Sequence, residues 1–196
     1  MSEVLITLAI IGVVASLTIG VFYKNIQRFI LKNQFLKMYN TLNQAHLKVI
    51  NDLGYSPECF YILGDGYSSE CSLYFKNLTD NLKIIKRCEK QAVTKGCINR
   101  IEAIPNYGGP FGNAWIINFN SDVRILNDGS QLFILSSPYF MVDTNGTKGP
   151  NKWGYDLYTL ITRKKDNNSP IKIGCYLNYT DDGGVKCDDI VKFSKF

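Results

Sequence analysis

The chain has 196 residues, 45% of them apolar and 13% aromatic, with a formal net charge of +5. That is enough apolar material for one core with a small extension. A single histidine and the lack of any C-x-x-C exclude c-type haem and leave four-ligand zinc poorly supported. No dinucleotide fingerprint, P-loop or nucleophile elbow occurs.

From Val4 to Tyr23 the only polar side chains are Thr7, Ser16 and Thr18. About twenty residues rising 1.5 Å each span roughly 30 Å, the thickness of a hydrocarbon core. A cleaved secretory signal has a basic leading region and a shorter apolar stretch; here the flank is acidic, Glu3, and the run is longer. The helical pattern then continues through Phe22, Ile26, Phe29, Ile30, Leu36, Leu42, Val49 and Leu53, with polar residues between. No proline interrupts before Pro57, and Gly54 is the stop signal. One helix of about fifty residues, 75–80 Å long, is therefore expected. Its first half is apolar all round, and its second half carries one apolar stripe for packing on a globular body. His46 belongs on or beside that stripe, as a core or interfacial residue.

Between Glu3 and Asp52 there is no acid, while Lys24, Arg28, Lys32, Lys37 and Lys48 are basic. Two readings stand side by side: a solvated helix face, or attraction to anionic lipid beside the apolar span. Gly12 and Gly20 each cost about 1 kcal/mol of helix propensity relative to Ala. They are either ordinary membrane-helix glycines or points of close helix approach or loosening, Gly20 more so because β-branched residues surround it.

Residues 55–110 are rich in turns ("LGDGYSSEC", "IPNYGGPFG"), with a short helix expected at Thr79–Arg87. From Ala114 the texture becomes β. "AWIINF", "VRIL" and "QLFIL" are strands, the last two joined by the hairpin signal Asn127-Asp128-Gly129, followed by "YFMVD", "YDLYTLIT" and "IKIGCYL". Four or five antiparallel strands laid against the amphipathic helix half would cover its stripe. The fold class is thus α+β. Three segments follow: 1–25, a transmembrane or filament-core helix half; 26–54, an amphipathic half; and 55–196, a disulfide-containing β-rich domain.

Cys59, Cys71, Cys88, Cys97, Cys175 and Cys187 all follow the helix, are even in number and lack metal-like spacing. They read as disulfides of an oxidising compartment. Six cysteines allow fifteen connectivities. The local set 59–71, 88–97 and 175–187 is the expected one, each bridge closing a loop of roughly ten to fifteen residues worth ~3 kcal/mol. Four N-x-[ST] sequons begin at Asn77, Asn145, Asn167 and Asn178 and read as chance matches. Asp181, Asp182, Asp188 and Asp189, around Cys187, read as a solvated acidic loop.

The segment "SEVLITLAIIGVVASLTI" resembles the N-terminal segment of type IV pilins and of type II secretion pseudopilins. The likeness is close over the first twenty-five residues, and the long helix extends it to about residue 53. It implies a leader cut by a prepilin peptidase, methylation of the new N-terminus, and residence in the bacterial inner membrane. An assembly platform there would add the chain to a helical polymer of identical or homologous subunits, an extracellular filament. Glu3 matches the family's glutamate. A lone carboxylate in a bilayer is costly and marks function, and a positive partner makes it tolerable. The partner implied is the N-terminal amine of a neighbouring subunit, which makes Met1, Glu3, Gly12 and Gly20 the assembly residues. The family's glutamate is the fifth mature residue and here is third, which leaves open whether residues precede Met1.

One loop could carry a metal: "DTNGTKGPNKWGYD", with Asp143, Asn145, Asn151 and Asp156 as hard oxygen donors. Its spacing departs from an EF-hand, since Lys148 interrupts and no Glu stands at the twelfth position. By spacing alone it is a tight capped loop. It also resembles a late loop of pilin-like proteins in which pseudopilins bind calcium, so Ca²⁺ is the implied cofactor. No residue set assembles a nucleophile and base, so no catalytic residues are assigned, and no pattern points firmly to nucleic acid. The expected function is a structural subunit of a pilus or pseudopilus. The alternatives are a single-span, membrane-anchored extracytoplasmic binding protein, or an anchored enzyme using the Asp143–Asp156 loop.

Overall fold

A computed structural model describes residues 2–55, 58–62, 66–67, 71–89, 92–98, 122–134, 138–165 and 168–193. Helix α1 runs unbroken over Ser2–Leu53, about 78 Å at 1.5 Å per residue. It stops where expected: Gly54 takes φ +70° and its amide donates to the Ile50 carbonyl at 3.1 Å. α1 is one helix long and apolar enough to cross a membrane.

The burial along α1 divides sharply. Phe22 and Phe29 are 69% and 67% exposed, whereas Phe35 is fully buried. The buried series is Leu31, Phe35, Met38, Leu42, Ala45 and Val49, at alternating steps of four and three, with His46 beside it. The stripe predicted from Phe22 is therefore corrected: Phe22, Ile26, Phe29 and Ile30 are exposed, and burial begins at Leu31. In a helix this rich in apolar residues several three-and-four series coexist, and the docked body selects one of them.

That body is built on a sheet. The strands are β1 (Tyr61–Ile62), β2 (Gly66–Tyr67), β3 (Ile84–Cys88), β4 (Asp122–Leu126), β5 (Gln131–Ile134), β6 (Tyr139–Asp143), β7 (Leu157–Lys164) and β8 (Lys172–Cys175). The order is β2-β1-β7-β6-β5-β4-β3, with β8 on β7. Strands β3 to β8 form a six-stranded antiparallel array, and β1 adds in parallel at Arg163 and Lys164. Arg163 also pairs with Lys172 of β8, so β1 lies on the β6 edge, beyond the end of β6. The sheet thus has more than the four or five strands expected. The predicted strand in "AWIINF" lies outside the described residues. The β4–β5 hairpin turns through Asn127-Asp128-Gly129, with Gly129 at φ +87° and the Ser130 amide held by the Asp128 carboxylate at 3.1 Å.

Both faces of the sheet are covered. Leu126, Leu132, Phe140, Val142, Tyr158, Leu160 and Ile173 face the buried stripe of α1, joined by Tyr74, Phe75 and Leu78 of α2 (Cys71–Asp80) and Ile190 of α3 (Cys187–Phe193). Val123, Phe133, Met141 and Leu157 point the other way, onto Cys88, Ala92, Cys97, Ile98 and Trp153. Double burial explains why β5 and β6 read as continuous apolar runs rather than alternating ones.

The helix predicted at Thr79–Arg87 is overturned. The helix is α2, ending at Asp80, and Ile84–Cys88 pairs with β4 instead. The true signal is Cys71, Tyr74, Phe75 and Leu78, spaced i, i+3, i+4, i+7 and all buried. The disulfides are Cys59–Cys71, Cys88–Cys97 and Cys175–Cys187, the local pairing, and no described cysteine is free. They tie α2 to the segment before β1, close the turn after β3, and join β8 to α3.

Candidate functional site

Two features of the molecule stand apart from its packed core: the bare half of α1 and the loop between β6 and β7.

The bare half begins near the start of α1, which contains Glu3, Gly12 and Gly20; Met1 lies outside the described residues. Val4, Ile6, Leu8, Ile10, Ile11, Val13 and Val14 are each more than half exposed. A side chain at Gly12 or Gly20 would meet nothing within 4 Å. Neither glycine is demanded by packing inside this chain. The hydroxyls of Thr7, Ser16 and Thr18 bond back to carbonyls three or four residues earlier. The rod therefore presents no unsatisfied hydroxyl donor at these three positions, as a water-free environment requires. An exposed apolar surface of this extent marks an interaction site.

The loop site is assembled by strand register. Asp143 ends β6 opposite Leu157 at the start of β7, which brings Asp143 and Asp156 together although thirteen positions separate them. Both are buried, 2% and 0% exposed. The Asp143 carboxylate accepts from the Asn145 and Gly146 amides at 3.1 and 2.8 Å. Asp156 accepts from the Asn151 and Lys152 amides, both at 2.8 Å. The Thr144 amide donates to the Asp156 carbonyl at 2.9 Å, closing the loop. Gly146 sits at φ +67° against the Gly129 carbonyl, leaving no room for a β-carbon. A cis peptide joins Gly149 to Pro150.

The electrostatics are strained in one direction. Burial, and then the neighbouring Asp156, push the Asp143 carboxyl well above the usual carboxylate range against the pull of its two amide donors. Burial raises Asp156 as well, opposed by the Lys152 and Asn151 amides and the Asn145 side chain. Neither carboxylate belongs to the described ion pairs.

The four predicted donors lie on this one loop: strand register brings Asp143 and Asp156 together, and the Asn145 side chain bonds to Asp156. The Asn145 amide nitrogen donates to the Gly149 carbonyl at 2.7 Å, which fixes its orientation and leaves Oδ1 free of it. Asn145 Oδ1, Asn151 Oδ1 and Thr144 Oγ1 are buried without a hydrogen-bond partner. Buried acceptors left unpaired cost roughly 1–3 kcal/mol each; a cation would satisfy the two amide oxygens, whereas the Thr144 hydroxyl also carries a donor. Two carboxylates with neutral oxygens suit calcium. Among the described residues no cluster of three or more His, Cys, Asp or Glu exists, so zinc-type ligation has no basis there.

Sequence reading missed the second loop that braces the first. Asp181 is not merely solvated: its carboxylate accepts from the Trp153 amide at 2.8 Å, and its own amide donates to the Trp153 carbonyl at 2.9 Å. Asp188 likewise accepts from the Asn178 side chain at 2.6 Å. Asp182 and Asp189 remain exposed. No local motif signals these partners, because they are 28 and 10 residues apart.

A further concavity of about 370 Å³ lies between α2 and β3–β4, lined by Lys76, Asp80, Arg87, Glu89, Asp122 and Arg124. Most of its charges are spent on each other: Arg87 on Asp80 at 3.2 Å, and Arg124 on Asp122 and Glu89. Comparison with protein-family models, with curated proteins and with solved structures finds no match.

Proposed function

We propose that this chain is a structural subunit of a type IV pilus or type II secretion-like pseudopilus, held in a membrane by the first half of α1 and then polymerised through it. The observation that carries this reading is the division of one continuous helix. The described large apolar side chains before Leu31 are exposed, while the stripe from Leu31 through Phe35, Met38, Leu42 and Ala45 to Val49 is sealed against a disulfide-braced head. A plain membrane anchor needs only about twenty residues. A rigid helical continuation into the head fixes the head's position on the rod, which a polymer with repeating geometry requires. The rod's lone acid, Glu3, then sets axial register by pairing with a neighbour's terminal amine in the bundle.

In the head, Asp143, Asp156, Asn145 and Asn151 would hold a calcium ion. Bound there, the cation supplies the positive charge that two buried carboxylates lack. The chain's own part is to hold the loop open to it through the Asn145, Gly146, Asn151 and Lys152 amides.

The test is electron microscopy of sheared surface material from cells making the wild-type chain or Glu3→Ala. The filament reading expects filaments in the first. The variant gives none, while the protein stays in the membrane fraction. Unchanged behaviour of Glu3→Ala would favour a single-span anchored binding protein, whose first helix is only an anchor.

A further inference from the structure

Arg28 stands on α1 one turn before Leu31, at the junction between the bare rod and the docked half. Two loops of the head meet it there. Its guanidinium carbon lies 5.9 Å from the centre of the Tyr155 ring, in cation–π range. Gly183, at φ +76°, closes from the other side: a β-carbon there would collide with the Arg28 guanidinium and come within 2.7 Å of the Tyr155 hydroxyl oxygen. That hydroxyl donates to the Asp182 carbonyl at 2.8 Å. The two loops are sewn together by Trp153 and Asp181, which exchange amide–carbonyl and amide–carboxylate bonds, and by the Val185 amide on the Gly154 carbonyl at 2.8 Å.

Tyr155 is the residue before Asp156, inside the turn whose amides at 151 and 152 are gathered by the Asp156 carboxylate. The ring that touches the rod therefore belongs to the same six-residue turn as two of the four cation donors. Fixing Asp156 fixes the turn, and the turn carries the Tyr155 ring onto Arg28.

We infer that Arg28 is a clasp through which cation occupancy of the Asp143–Asp156 loop sets how firmly the head grips the rod at its point of emergence. The inference rests on the calcium reading above and assigns that site a regulatory output. Without the cation, repulsion between the two carboxylates loosens the turn, Tyr155 withdraws and the helix around Arg28 frays more readily. With it, the junction stiffens. By linkage, a clasped junction must in turn favour the bound cation.

The full-length chain in detergent micelles tests this by hydrogen exchange with and without calcium. Terbium luminescence sensitised by Trp153 or Tyr155 reports occupancy in parallel. In the wild type, calcium should slow exchange across residues 150–157 and also across residues 24–35 of α1. The helix effect should be at least about fivefold, the low end of coupling between sites. In Arg28→Ala, and separately in Gly183→Ala, the loop should still slow while the helix effect disappears. An equal helix response in both variants overturns the clasp, as does a wild-type helix that ignores calcium while the loop responds. Absence of both terbium emission and loop protection overturns the cation site itself, and the clasp with it.

Discussion

His46 Nδ1 lies 3.0 Å from the Tyr74 hydroxyl, and its Nε2 lies 3.0 Å from the Ile171 carbonyl. A carbonyl only accepts, so Nε2 carries the proton and Nδ1 takes the tyrosine's hydrogen. The pair locks α1 to α2 and to the start of β8 through a neutral, fully satisfied imidazole that is 2% exposed. Burial pulls the His46 pKa below its ordinary value, opposed by the bond to Ile171.

The sign of the pH effect follows. The unfolded chain takes up a proton near pH 6.5, while the folded chain resists until a lower pH. His46 therefore contributes its full stability above about pH 6.5 and loses it as pH falls toward the lowered folded value. Denaturation midpoints at pH 7.5 and pH 5 should show part of this loss in the wild type and less of it in His46→Gln. Tyr74→Phe, which leaves Nδ1 an unpaired buried acceptor, should cost about 1–3 kcal/mol at pH 7.5. Undiminished acid sensitivity in His46→Gln would assign the titration to another group.

The boundary at Leu31 predicts a contrast between two phenylalanines six positions apart. Phe35 is fully buried, its ring 4.0 Å from that of Tyr158, and Phe29 is 67% exposed. Phe35→Ala should lower the head's unfolding free energy by about 3–5 kcal/mol. Phe29→Ala should leave it within about 0.5 kcal/mol, as surface changes do. Comparable losses from the two would place the head lower on the rod.

The long helix was legible because nothing in its first fifty residues contradicts it: no proline, and a glycine stop at Gly54. The β4–β5 hairpin was legible because Asp128 and Gly129 perform the turn chemistry locally. The failures have a common cause in long-range pairing. The strand Ile84–Cys88 has three consecutive exposed residues and no alternation, so only its partner β4 identifies it. β1 and β2 are two residues each, defined by their neighbours. The α1 stripe was legible at Leu42 and Val49 but was started too early, at Phe22, because the apolar rod offers several helical series, and only the contacts of Leu31, Phe35 and Met38 with the head choose among them. The four loop donors could be named from residue type, whereas Asp181, which holds the Trp153 amide, reads as an ordinary acidic loop.

The bridge between Cys175 and Cys187 joins the last strand to α3 across a separation of 12 residues. It is the only described disulfide between α3 and the sheet, and α3 also docks through Ile190, Val191 and the Asn178–Asp188 bonds. Replacing both cysteines by alanine should cost about 2–5 kcal/mol. The loss should appear as early proteolysis after residue 176, before global unfolding. A variant whose C-terminal segment resists protease as the wild type does would show that packing of Ile190 suffices.

Calcium removal gives the last prediction, and its size follows from mass action. A ligand that binds only the folded chain at about a hundred times its Kd stabilises by about 2.7 kcal/mol. At roughly 2–4 °C per kcal/mol for a chain of this size, chelation should lower the melting temperature by about 5–10 °C. Asp156→Asn halves the carboxylate charge of the loop and should melt lower than the wild type in calcium, with little further change on chelation. Lys148→Ala, at an exposed position in the same loop, should keep the full response, because it removes neither a donor oxygen nor an amide that the carboxylates use. If chelation leaves the wild type unmoved, the orphan oxygens of Asn145 and Asn151 are satisfied by something other than a cation.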